Sequence, residues 1–203
     1  MVNIYPKKVE IQNTLDQINA ITSILSVIAE MKNLQISDHI FNSLLNFLIA
    51  MIEGGNQKSQ KSAYNYFITI PTSEFVFEKF YRIINEQIEA MKAASHDHHE
   101  PAKRLRNHSN DNENLKNSIL EKILRIMQML TEGHYSDMQL YFQVQTNSRT
   151  NYDLVSSVIE LLYVYHTDLG VNNYHNILRC FETLTELVQV YLNDIHFFSK
   201  SVC

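Results

Sequence analysis

Glycine and proline are scarce in this chain: four and three residues among 203. An all-β fold needs turn residues every 8–12 positions, so that class is excluded. With so few glycines there is also no P-loop and no dinucleotide-binding fingerprint. Tryptophan is absent, and cysteine is limited to Cys180 and Cys203. Two such cysteines, one mid-helix by pattern and one at the last position, do not read as a disulfide framework and point to a reducing compartment. Basic excess is also missing. Seventeen Lys and Arg against 22 Asp and Glu give a net charge of −5, which argues against a nucleic-acid partner. No apolar run approaches the ~18 residues of a membrane span, so direct membrane insertion is not expected. Met1 to Glu10 lacks the apolar stretch of a signal peptide.

What remains is long apolar periodicity with few breakers. From Val9 to Met31, apolar residues at Ile11, Leu15, Ile18, Ile21, Leu25 and Ile28 predict one helix. Ser37 then caps a second helix, striped by Ile40, Phe41, Leu44, Leu45, Leu48, Met51 and Ile52. Gly54 and Gly55 stop it, as glycine does at a left-handed cap. A short helix turns inward Ala63, Tyr64 and Phe67. After Pro71 and Ser73 another runs from Glu74 to about Ala94, on Phe77, Phe80, Tyr81, Ile84, Ile88 and Met91.

Residues 95–114 (SHDHHEPAKRLRNHSNDNEN) carry one large aliphatic side chain, Leu105, and predict a disordered linker. It divides the chain into an N-terminal helical half, 1–94, and a C-terminal half, 115–203. The second half resumes with Leu115, Ile119, Ile123, Ile126, Met127 and Leu130, ending at the Gly133-His134 corner. Helices follow at Ser136–Gln145, then on Leu154, Val155, Val158, Ile159, Leu161, Leu162 and Tyr165. The last runs from about Asn172 to Phe198, on Ile177, Leu178, Phe181, Leu184, Leu187, Val188, Tyr191, Leu192 and Ile195. The expected fold is all-α: about eight helices in two halves, as an armadillo/HEAT-like solenoid or a helical bundle. Self-similarity does not stand out along the chain. Tyr5, Tyr66, Tyr163 and Tyr174 fall off the stripes and are expected on the surface.

Four segments, in order over about Ile40 to Gln189, carry a resemblance. They are Leu48 to Asn56 (LIAMIEGGN, with Gln57 and Gln60 beyond); Met127 to His134 (MQMLTEGH, then Asp137, Gln139, Tyr141 and Gln145); Asn151 to Val155 (NYDLV, then Leu161-Leu162); and Glu182 to Glu186 (ETLTE). They resemble the associated domain beside the homology domains shared by inositol trisphosphate and ryanodine receptors. The chain departs from that pattern at Thr131, where the family has Cys. It departs again at Gln143-Val144, where an Arg is missing, and after Glu186, where Leu187 to Leu192 replaces a Gly-Pro-Cys corner.

The resemblance implies a non-catalytic, cofactor-free cytosolic module of an intracellular calcium-release channel, at the cytosolic face of the endoplasmic reticulum. Its partners would be other domains or subunits of the channel, and its role to support or relay gating. The alternatives are a stand-alone solenoid adaptor that binds a helix or peptide and an enzyme of unrecognised type. The expected structural positions are the helix corners Gly54, Gly55, Gly133 and His134. Ser109, after Arg104 and Arg106, matches the arrangement basophilic kinases favour.

Other chemistry fits poorly. His96, His98, His99 and His108 have metal-ligand spacing but stand in a polar linker without a scaffold. His134 has no nucleophile motif beside it and reads as a corner residue. The pairs Asp153/Glu160 and Glu182/Glu186 match no EF-hand loop and read as solvated helix faces. Leu130 and Leu184 are expected in the core, with the polar residues around Leu184 facing outward.

Overall fold

A computed structural model describes residues 5–31, 39–96, 111–167 and 174–189. Among them every regular element is a helix: α1 (Tyr5–Gln17), α2 (Ala20–Glu30), α3 (His39–Ile52), α4 (Gln57–Thr69), α5 (Glu74–His96), α6 (Asp111–Thr131), α7 (Ser136–Gln143), α8 (Leu154–Thr167) and α9 (Tyr174–Leu187), with a 3₁₀ turn at Pro71–Ser73. The all-α expectation holds.

The helices form three rows. Helices three apart in the chain lie side by side: α1 on α4, α2 on α5, α5 on α8, α3 on α6, and α6 on α9. A period of three helices, each unit touching the next, is the arrangement of an α-solenoid. One continuous core runs through both halves, from Ile21, Leu25 and Phe41 to Ile123, Phe142 and Tyr165. An aromatic knot ties α4 and α5 to α7, with Phe67, Phe77 and Tyr141 stacked edge-to-face or in parallel at 4.9–6.2 Å. Ser95 and His96 close α5, and Asp111 to Asn114 open α6, so both ends of the polar stretch are helical. Its remainder, with His98, His99, Arg104, Arg106, His108 and Ser109, lies outside the described residues, as do Ser37 and the chain from 190.

Several expected stripes differ. The single helix over Val9 to Met31 is two helices, broken at Asn19, whose φ is 62°. Asn is among the few residues that accept this left-handed conformation. The break re-aims α1. Ile11 and Ile18 are 60% and 71% exposed, while Gln12 is 2% exposed. The neighbour of α1 is the carbonyl-rich end of α3, so an amide rather than an aliphatic chain faces inward. Ile40, Tyr81, Ile159, Leu178 and Phe181 are exposed where stripes placed them inside, whereas Tyr66, expected on the surface, is buried. Tyr163 and Tyr174 are exposed as expected. In α9 the buried residue of the ETLTE run is Thr183, whose hydroxyl donates to the carbonyls of Leu124 at 3.1 Å and Arg179 at 2.7 Å. Leu184 is only partly buried, beside a fully buried Leu130.

Candidate functional site: glutamine clamps at the helix corners

A helix ends with carbonyls that have no intrahelical donor, and buried carbonyls need one. Three helices of this solenoid, α3, α6 and α9, end inside the stack. Each receives a glutamine from α1, α4 or α7, the middle row; α3, α6 and α9 form the first row. Gln12 of α1 donates to the carbonyls of Ala50 at 2.8 Å and Glu53 at 3.0 Å. Gln60 of α4 donates to Met129 at 2.8 Å and Glu132 at 2.9 Å. Gln139 of α7 donates to Glu186 at 2.6 Å. All three are at most 2% exposed. A primary amide suits the task, because its two N–H groups reach two carbonyls at once.

The chain leaves each of the first two corners through left-handed backbone. Gly54 and Gly55 have φ of 87° and 64°; Gly133 and His134 have 76° and 62°. A Cβ on Gly55 would meet the Glu132 side chain at 3.3 Å, whereas one on Gly133 would meet nothing within 4 Å. The two expected corners are therefore in contact, Gly55 against Glu132. Beyond the first corner, Asn56 caps α4 by accepting from the Lys58 and Ser59 amides, and donates to the side chains of Gln12 at 3.0 Å and Asn13 at 3.1 Å.

The segments carrying the family resemblance hold one another. Gln60 reaches Glu132 and Gln139 reaches Glu186. Gln145 accepts from the Tyr152 amide at 2.7 Å, and Asn151 accepts from the Gln145 amide at 2.9 Å, which locks the turn between α7 and α8. Where the family has Cys, the buried Thr131 bonds its own helix, to Met127 and Gln128.

Three carboxylates mark the corners, in different surroundings. Glu53 pairs with Lys8 and with Arg125 at 3.0 Å. The Lys8 hydrogen bond, helped by both cations, holds it below the usual carboxylate range. Glu186 is raised, first by burial and then by repulsion from Glu132, which His134 and Gln189 partly offset. Glu186 thus holds a proton more readily than an ordinary carboxylate. Among the described residues, no group of three His, Cys, Asp or Glu side chains stands close enough to hold a metal.

The other expected candidates lie apart. Asp153 caps α8, accepting from the Ser156 amide at 2.9 Å, and Glu160 pairs with Lys92 at 2.8 Å. Glu182 pairs with Arg179 at 2.6 Å. Burial pushes the Cys180 thiol up to about 12, so it is an inert core group. No helix among the described residues is long and apolar enough to cross a membrane.

The clamp residues escaped a periodicity reading because a glutamine on a helix reads as solvated. Two signals were present. Glu53 and Glu132 are each followed seven residues later by the clamp, Gln60 and Gln139. Also, Ile123 to Glu132 (ILRIMQMLTE) and Ile177 to Glu186 (ILRCFETLTE) agree at six of ten positions, a repeat hidden by the varied residues between.

The geometry agrees with comparison to known families. Residues 114–203 match the model of the family described as RyR and IP3R Homology associated. The second, third and fourth resembling segments lie inside this match, and Leu48 to Asn56 lies before it. Residues 114–203, which contain the Glu132 and Glu186 corners, are therefore similar to the RyR and IP3R Homology associated family.

Proposed function

We propose that the chain is a non-catalytic helical module of an intracellular calcium-release channel. It works on the cytosolic side of the endoplasmic reticulum, where it supports or relays gating between ligand-binding and channel regions. The observation that carries this reading is the family match over 114–203. The physical support is the way the stack is tied. Buried amides clamp the ends of α3, α6 and α9 across unit boundaries, so displacement of one unit pulls on the next. Close-packed helical units of this kind shift as bodies rather than bending continuously. Coupling through contact needs no cofactor. On this reading the two halves, 1–94 and 115–203, act as one domain despite the polar stretch between them.

The test is affinity purification of the tagged chain from membranes of its source cells, with partners identified by mass spectrometry. Recovery with a large tetrameric membrane channel, or of peptides from one channel polypeptide containing this sequence, supports the role. Recovery with soluble proteins alone refutes it.

The second reading, an adaptor, draws on one feature. An open cleft of about 540 Å³ along α5 is lined by Tyr81, Arg82, Asn85, Glu86, Glu89 and Tyr152. Purification with soluble partners, weakened by Tyr81→Ala, would favour it.

A further inference from the structure

The repeat fixes which residues of α6 and α9 correspond. Glu132 and Glu186 each have their carbonyl held by a middle-row glutamine, so Leu120, Leu124 and Met127 of α6 correspond to Tyr174, Leu178 and Phe181 of α9. Their fates differ. The three in α6 are 0–1% exposed. Leu124 lies where α9 packs, its carbonyl taken by Thr183, and Arg179 reaches back to Gln128 and Glu121, both at 3.3 Å. The three in α9 are 60%, 43% and 55% exposed.

On α8, Ser157 and Glu160 face α5 through Asn85 and Lys92. Elsewhere on that helix, Ile159 and Tyr163 are 51% and 70% exposed. Three large apolar side chains of α9 thus sit where the stack's own rule places the next unit. A solenoid face open to solution is polar, and this face of α9 is apolar.

We propose that the outer face of α9 is a docking surface for one further amphipathic helix, the first-row helix of an additional repeat in a neighbouring domain. This continues the α3–α6 and α6–α9 interface. The interface specifies the occupant's chemistry. The side of α9 that packs into the stack buries Asn176, Cys180, Thr183 and Leu187 at spacings of four, three and four, meeting α6 through Thr183 and α8 through Asn176. It also carries Arg179 toward α6 carboxylate and amide groups. The occupant is therefore a helix with small or apolar residues at that spacing and a basic residue placed to reach Glu182. This inference rests on the repeat geometry and stands apart from the channel reading.

The probe is a synthetic peptide of residues 174–189 with Cys180→Ala and a fluorophore, in helix-stapled form, titrated with the full chain. It copies the helix that covers the corresponding face of α6. Saturable binding is expected, weakened at least about tenfold by Leu178→Asp or Phe181→Asp in the full chain. Ile11→Asp, at an exposed site on α1, should leave it unchanged. Circular dichroism would establish that each variant is folded. No saturable binding, or equal affinity of the Asp variants, overturns the proposal.

A second measurement reads the face directly, by thiol labelling of Phe181→Cys with the two native cysteines changed to Ala. Fast labelling that the peptide slows supports an external helix. Slow labelling that becomes fast when residues 190–203 are removed overturns it, because the chain's own end would be the cover. A concentration-dependent dimer abolished by Phe181→Asp also overturns it, in favour of a second copy.

Discussion

α6 and α9 share the pattern ILR and LTE at the same spacing, yet one is a central helix and the other a terminal one. α6 lies between α3 and α9; among the described residues α9 has a neighbour of its own row, α6, on one side only. Equivalent leucines therefore do different work. Leu130 is 1% exposed, and its counterpart Leu184 is only partly buried. Even the polar residues swap roles: Thr183 packs inside α9 where a leucine stripe was expected. In a repeat protein, burial depends on how many neighbours a helix has as well as on its own sequence.

The comparison breaks most visibly in the core. Leu130→Ala is expected to cost about 2–5 kcal/mol, the range for a fully buried leucine that leaves a cavity. Leu184→Ala should cost about 1–2 kcal/mol, since less area returns to water and the site can collapse toward solvent. Urea denaturation of both variants checks this. Equal losses would mean that α9 is as enclosed as α6 and that its outer face has a cover.

The clamps come next. Gln60→Ala strands two buried carbonyls, Met129 and Glu132, and is expected to cost about 2–3 kcal/mol. Gln139→Ala strands the Glu186 carbonyl alone and should cost about 1 kcal/mol. The ratio matters more than either value. If the two variants melt together, the clamps are not graded from the centre of the stack to its end.

Much of the fold was legible in the sequence. The stripes of α5, α6 and α8 named most of their core residues, Tyr81 and Ile159 excepted, because each of these helices lies against a neighbour over most of its length. The reading failed at the ends of the stack. Ile11, Ile18, Ile40, Leu178 and Phe181 are apolar at helical spacing and nevertheless exposed, since periodicity records which face is apolar and not whether a neighbour exists. The corners were legible as stops, because left-handed backbone selects glycine. Their contact with each other was not, nor were the glutamines that hold them. Gln12, Gln60 and Gln139 bond to backbone carbonyls, which carry no side-chain signature; the resembling segments and the spacing from Glu53 and Glu132 marked Gln60 and Gln139, and nothing marked Gln12.

The two glycine corners sharpen the comparison on a smaller scale. Gly133→Ala is expected to cost about 1 kcal/mol, from the left-handed backbone alone. Gly55→Ala adds a Cβ at 3.3 Å from Glu132 and should cost slightly more, about 1–2 kcal/mol. Shortening the neighbour tests the cause. In a Glu132→Ala background the excess at Gly55 should vanish while the cost at Gly133 stays. Thermal melts of the four single and double variants decide it. An excess that survives Glu132→Ala would show that backbone strain alone distinguishes the two corners.

The smallest expected effect separates the corner carboxylates. Glu186 is raised by burial and by Glu132, so the folded chain holds its proton more tightly than the unfolded chain does. That stabilisation is fully present below the unfolded value and is lost as pH rises through the folded value. At pH 7 the ionised group is a burden, and Glu186→Gln should stabilise the chain, by about 0.5 kcal/mol or less, because much of the group meets solvent. Glu53 is lowered by Lys8 and Arg125, so its contribution has the opposite sign. It is present above the unfolded value and lost as pH falls through the folded one. Glu53→Gln should therefore destabilise at pH 7, by about 0.5–1 kcal/mol. The informative quantity is the difference between each variant and the parent chain followed from pH 7 to pH 4, since changes at other carboxylates cancel in it. Both differences should shrink toward acid, from opposite sides of zero. The Glu186 difference should begin to close first as the pH falls, because its carboxyl is raised and that of Glu53 lowered. If both variants destabilise at pH 7, repulsion at the Glu132–Glu186 edge is not what sets Glu186 apart.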